Sequence, residues 1–153
     1  PKRFDRARII EFCAARGLAF YDTAAKVCRW KGNASDEFLE ILEPADILSM
    51  LAQMPDCHTI VSTGGKSAEE LAGIFAASGP LVASGSLVAF GSSAPASGGP
   101  LPVPPVGSYL DLTLAGRPLR WWRLPSTSRA FPQPLAAKAA HYSKLFGTPA
   151  PEV

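Results

Sequence analysis

Short apolar runs alternating with helical patterns constrain this chain most. Leu18-Ala19-Phe20-Tyr21 and His58-Thr59-Ile60-Val61 are each followed by polar or glycine-rich turns. Runs of this length are too short for buried helices and read as buried strands. Residues 81–90 hold a third candidate, weakened by glycine and serine. Residues 109–114 alternate, Ala115-Gly116 turns the chain, and residues 118–124 return, a hairpin-like pair of strands. Between the strands the spacing predicts helices over 5–16, with Phe4, Ile9, Phe12 and Cys13 as apolar stripe and Gly17 as stop. It predicts another from a Ser35 or Asp36 cap to about Leu42, ended by Pro44. Further helices are expected over 45–54, with Ile47, Leu48 and Leu51 inward, and over 67–77. The last runs over 135–146, with Leu135, Ala139, Tyr142 and Phe146 on one side. Residues 22–35 read as loop with a helical turn. Strands alternating with helices predict an α/β protein, a three-layer α/β/α sandwich with a largely parallel central sheet.

At 153 residues and 47 % hydrophobic content, the chain is long and apolar enough for one self-supporting domain. That domain is expected over residues 1–147, with 148–153 as a tail and the Ser/Gly/Pro/Ala-rich stretch 92–105 as a flexible loop. No apolar run reaches the roughly 18–20 residues that span a bilayer, so no membrane association is expected. There is no charged stretch leading into an apolar one, hence no sign of a signal peptide. Cys13, Cys28 and Cys57 are odd in number and lack CxxC spacing, which fits free thiols in a reducing cytoplasm. His58 and His141 have no clustered partners, which argues against a metal site and against a nucleophilic triad.

Charge is unevenly placed. Residues 1–111 carry nine Lys/Arg against twelve Asp/Glu. Residues 112–151 carry Arg117, Arg120, Arg123, Arg129, Lys138 and Lys144 and no acid. Such a block is either a solvated basic face or a surface for a polyanion.

Ligands of parallel α/β sheets bind beyond the carboxyl ends of the strands. Three segments leave predicted strands there: Asp22-Thr23-Ala24, Thr63-Gly64-Gly65-Lys66, and Pro125-Ser126-Thr127-Ser128-Arg129. They are expected to converge on one crevice. Asp22 either caps the next turn or faces a ligand, since a carboxylate is costly to bury unpartnered. Gly64-Gly65-Lys66 lacks the Walker spacing, which excludes a P-loop nucleotidase. It is a tight turn, or a close backbone approach that exposes N–H groups to an anion. The Ser126–Arg129 stretch, framed by Pro125 and Pro132, suits phosphate oxygens through hydroxyls, backbone N–H groups and a guanidinium. Phe131 then either folds into the core or wedges into a base stack. Trp121 and Trp122, adjacent on a strand, point to opposite faces: one is core, and the other covers the sheet or stacks on a base.

At these loops the sequence resembles the uracil-DNA glycosylase superfamily. Residues 17–23, Gly-Leu-Ala-Phe-Tyr-Asp-Thr, are similar to a motif in which a strand ends in Asn or Asp at the base pocket. Thr63-Gly64-Gly65-Lys66-Ser67-Ala68 resembles the central strand-to-helix turn, with Gly64 where Asn usually stands. Leu124-Pro125-Ser126-Thr127-Ser128-Arg129-Ala130 resembles the loop that grips the DNA strand, in the branch acting on hypoxanthine and related bases. Asn33-Ala34-Ser35-Asp36 looks like the stretch after the base-pocket motif. The likeness spans most of residues 5–146, but the family's first, water-positioning motif has no counterpart, so an amino-terminally truncated member, or one that has lost that motif, is expected. The resemblance implies a monofunctional glycosylase that flips a deaminated base, uracil or hypoxanthine, out of DNA and hydrolyses its N-glycosidic bond. It implies Asp22 as the catalytic residue and Tyr21, Asp22, Asn33 and Gly64 as the base pocket. It places Gly65, Lys66, Ser126, Thr127, Ser128, Arg129 and Phe131 on DNA, and implies no metal or organic cofactor. A monomeric cytoplasmic protein is expected. The alternative is a non-catalytic nucleic-acid-binding domain of the same fold.

Overall fold

The computed structural model describes residues 4–30, 38–78, 82–83, 101–129 and 131–147. The elements run α1 (Arg6–Ala15), β1 (Ala24–Arg29), β2 (Leu39–Pro44), α2 (Ile47–Ala52), β3 (Thr59–Thr63), α3 (Gly65–Ala77), β4 (Val82–Ala83), β5 (Ser108–Leu114), β6 (Arg117–Leu124) and α4 (Leu135–Gly147). The protein is α/β, with a mixed four-stranded sheet in the order β3-β6-β5-β4 and a separate antiparallel pair, β1-β2. Among the described residues only β3 and β6 run parallel; β5 pairs with both β6 and β4 antiparallel. The expectation of a largely parallel sheet is therefore corrected. The tight Ala115-Gly116 hairpin forces β5 and β6 antiparallel, which leaves one parallel neighbour, β3, beside β6. Both turn residues take positive φ, 51° and 78°, the primed geometry that matches strand twist in a two-residue hairpin.

The core forms where two sequence periods meet. On β5, alternation turns Leu110, Leu112 and Leu114 inward, facing Trp121 and Leu119 of β6. On α3, Ala68, Leu71, Ala72 and Phe75 recur at helical spacing and are all buried. Phe75 meets Trp121 edge-to-face, with centroids 5.5 Å apart at 81°. Leu51 of α2 and Leu101 complete the cluster, and Ile47 packs against it. Trp122 points to the opposite face, lies buried there and tilts against Tyr109 at 4.9 Å. Both tryptophans thus serve the sheet, as alternation requires, and neither is free to stack on a base.

The polar chain between β3 and β6 fixes their register. Ser62 is 2 % exposed, and its Oγ accepts from Trp121 Nε1 at 3.0 Å. The same hydroxyl donates to the Trp122 carbonyl at 3.2 Å. At the hairpin base, Arg117 donates to the carbonyls of Leu51, Met54, Pro55 and Cys57 at 2.6–3.1 Å. One guanidinium therefore closes the turn from α2 into β3. Asp46 caps α2, and the hydroxyl and N–H of Ser49 hold its carboxyl below the usual range.

The first half departs from its sequence pattern. Residues 18–21 are not a buried strand: Phe20 is 81 % and Tyr21 71 % exposed. The next segment forms β1 instead of a loop, and Leu39–Pro44 is a strand where a helix was expected. Pairing decides this, because Val27 opposes Ile41 and Arg29 opposes Leu39, and Trp30 Nε1 bonds Glu40 across the pair at 3.0 Å. Helix α1 forms with Asp5 as its cap, but no residue on it is buried. On α4, Leu135 and Phe146 are exposed, and Lys138 is the buried residue. The expected strand over 81–90 is described only at Val82–Ala83, and residues 92–100 of the expected flexible loop lie outside the described residues. Leu101 and Pro104, at the end of that stretch, are buried. No described helix is long and apolar enough to cross a membrane.

Ser62→Ala leaves the Trp121 indole N–H buried without an acceptor. It is expected to lower the unfolding free energy by about 1–3 kcal/mol in urea titrations; an unchanged midpoint would remove Ser62 from the register lock.

Candidate functional site

The close of the parallel pair sets two loops side by side. β3 ends at Thr63 opposite Leu124 of β6. The Gly64 N–H then donates to the Leu124 carbonyl at 2.9 Å. Gly64 has φ 99°, and a Cβ there would meet Ser126 Cβ at 3.4 Å. Glycine is required at this point by its backbone angle, and the 125–131 loop approaches it to contact distance. The turn feeds α3, whose first residues face the same space. Ser67 Oγ donates back to the Thr63 carbonyl at 2.9 Å, and Lys66 pairs with Glu70 at 3.1 Å.

The 125–131 loop is held from within and from below. Ser128 N–H donates to Ser126 Oγ at 3.2 Å, and Phe131 N–H to the Ser128 carbonyl at 3.2 Å. From α4, Tyr142 donates to the Pro125 carbonyl at 3.0 Å and Lys138 Nζ to the Ser128 carbonyl at 2.6 Å. Burial raises the Tyr142 phenol above its ordinary value, so it stays a neutral donor through the physiological range.

Across from these loops lies the chain leading into β1. The Thr23 carbonyl accepts from Ala45 N–H at 3.0 Å, which fixes the entry to the β1-β2 pair. Tyr21 and Asp22 stand exposed just before it. Asp22 therefore precedes a strand rather than following one. No helix begins there, so the capping role is excluded. Its carboxylate has no hydrogen-bond partner among the described residues.

One cleft of about 640 Å³ joins all three segments. Tyr21, Asp22, Gly64, Gly65, Lys66, Ser126, Ser128 and Phe131 line it, so most of the sequence-derived site residues share one space. Thr127 and Arg129 are exposed but do not line the cleft. Asn33 lies outside the described residues. Phe131 is half-buried at the cleft wall, between a core residue and a free wedge. Val27, Leu39 and Ile41, which the sequence reading passed over, supply an apolar wall from β1 and β2. Alternation of Leu39 and Ile41 with Glu40 is the signal for them, obscured by the apparent helix cap at Ser35 or Asp36. Arg29 also lines the space. Asp22 is the one carboxylate among the described lining residues. No three described His, Cys, Asp or Glu side chains form a metal-binding group.

The basic block is less of a surface than its composition suggests. Arg117 is spent on four carbonyls. Arg120 is 9 % exposed and forms a bidentate pair with Asp111 at 2.6 and 2.9 Å, stacked over Tyr109 at 4.2 Å. Lys138 is buried, and Arg123 donates to the Pro104 carbonyl at 3.3 Å. Arg129 and Lys144 are the members of the block exposed to solvent.

No protein-family model matches the chain, and no curated protein or solved structure matches it either.

The two kinds of arginine separate in stability. Arg117→Ala is expected to cost about 1.5–3 kcal/mol, because charged donors to four carbonyls are lost. Arg129→Ala should stay within about 0.5 kcal/mol. Equal losses in urea unfolding would contradict this division.

Proposed function

We propose that this chain forms the base pocket and strand-gripping face of a monofunctional DNA N-glycosylase acting on a deaminated base, uracil or hypoxanthine. The observation that carries the reading is the single cleft shared by Asp22, the Gly64-Gly65-Lys66 turn and the Ser126–Phe131 loop. The cleft pairs an apolar wall of Val27, Leu39 and Ile41 with polar groups on the other loops. That combination suits a flat heterocycle, which packs one face and hydrogen-bonds at its edge. In this reading the protein is a cytoplasmic monomer, and its elements are those of a three-layer α/β/α sandwich.

The chemistry follows from the arrangement. A base leaves the duplex at a cost of a few kcal/mol, and Phe131 fills the gap. Ser126, Ser128 and the neighbouring backbone N–H groups hold the flanking phosphates, with Arg129 on the outer side of the grip. The glycosidic C–N bond breaks with its electron pair going to the base, and positive charge develops on the sugar. The Asp22 carboxylate stabilises that charge or meets the base edge. Water adds its oxygen to the sugar carbon, and its proton leaves with the base or to solvent. Among the described residues the one lysine lining the cleft, Lys66, is paired with Glu70, so a hydrolytic course without strand cleavage is favoured.

A second reading, a nucleic-acid-binding domain without chemistry, is favoured by one observation. Asp22 is exposed at the cleft mouth and lacks a described partner that would orient it.

The deciding experiment incubates the full-length protein with duplexes containing uracil or hypoxanthine and measures free base. Release is expected, and Asp22→Asn should slow it by about 10²–10⁴-fold, with affinity for an abasic-site duplex little changed. Binding without any release supports the second reading; release untouched by Asp22→Asn removes that residue from the chemistry.

A further inference from the structure

Helix α4 turns a lysine inward while leaving its larger apolar residues outside. Lys138 is 7 % exposed, whereas Leu135 is 82 % exposed. Burying an ammonium is costly unless it is hydrogen-bonded. Here Nζ donates to the Ser128 carbonyl at 2.6 Å and lies 5.3 Å from the centre of the Phe131 ring, within cation–π range. Ser128 and Phe131 are the two residues at the far end of the loop that line the cleft. One turn further along α4, Tyr142 holds the Pro125 carbonyl at the loop's start. Ser128 is also held through its N–H by Ser126 Oγ. Its peptide units are therefore fixed on both sides, and Lys138 supplies the charged half of that fixation. Lys138 itself does not line the cleft.

We propose that Lys138 is a positioning residue: from beneath the loop it holds Ser128 and Phe131 facing the cleft without touching the ligand. The inference rests on the nucleic-acid reading for what the loop binds, while its action on the loop is independent of any ligand.

The test compares Lys138→Met, which keeps the stem and loses donor and charge, with Lys138→Arg, which keeps both. Hydrogen exchange at the Ser128 and Phe131 amides is expected to quicken roughly tenfold in Lys138→Met, the loss of about one charged hydrogen bond. Lys138→Arg should return toward the parent protein, and amides of β6 should stay as they were. Affinity for an abasic-site duplex should fall roughly tenfold in Lys138→Met with the salt slope unchanged, because no phosphate contact is lost. Arg129→Ala should instead reduce that slope by about one. Unchanged exchange at both amides in Lys138→Met overturns the proposal. So does quicker exchange with undiminished affinity. If the parent protein binds no duplex while exchange still quickens, the loop-holding role stands and the nucleic-acid reading falls. Should Lys138→Met not fold, Lys138→Leu, which also removes donor and charge, is read by the same criteria.

Discussion

A serine hydroxyl between two adjacent tryptophans holds the parallel strands together. Ser62 Oγ takes the Trp121 indole proton and gives its own to the Trp122 carbonyl, so β3 cannot slip along β6 without leaving buried polar groups unpaired. Because that register is fixed, Thr63 and Leu124 end level, and the Gly64 N–H reaches the Leu124 carbonyl. The approach of Ser126 to Gly64 follows, and with it the floor of the cleft. A one-residue slip would turn every side chain of β3 to the opposite face and carry the α3 entry away from the last loop.

Positive charge is divided between building the cleft and standing on or near its surface. Arg117 and Arg120 are consumed by carbonyls and by Asp111, where their bonds join the hairpin to the rest of the chain. Lys138 works one layer beneath the loop that lines the cleft. Lys66 and Arg29 line the cleft, and Arg129 stands outside it. In the proposed reading, attraction for a polyanion comes from a few outer residues, while shape comes from the inner ones. Net charge alone describes neither role.

The second half of the chain was legible in its sequence because its signals are local. Leu110, Leu112 and Leu114 alternate, Ala115-Gly116 turns, and the Leu71/Phe75 spacing declares α3. The three site loops were legible for the same reason: each is a short polar break after an apolar or paired segment. The first half was misread where long-range pairing overrides local signs. Leu39, Glu40 and Ile41 carry strand alternation, but possible caps at Ser35 and Asp36 imitate a helix start. Phe20 and Tyr21 are apolar enough for a buried strand, yet no described element covers them. The inward turn of Lys138 carries no sequence signal, since it follows from the Ser128 carbonyl, ten residues away.

The most direct measurement is backbone amide NMR of the protein titrated with an abasic-site duplex. The expected result is that Asp22–Thr23, Gly64–Lys66 and Ser126–Phe131 shift together and fit one dissociation constant, as three walls of one cleft must. Shifts confined to Arg129, Lys144 and their neighbours, with the cleft amides unmoved, would contradict it.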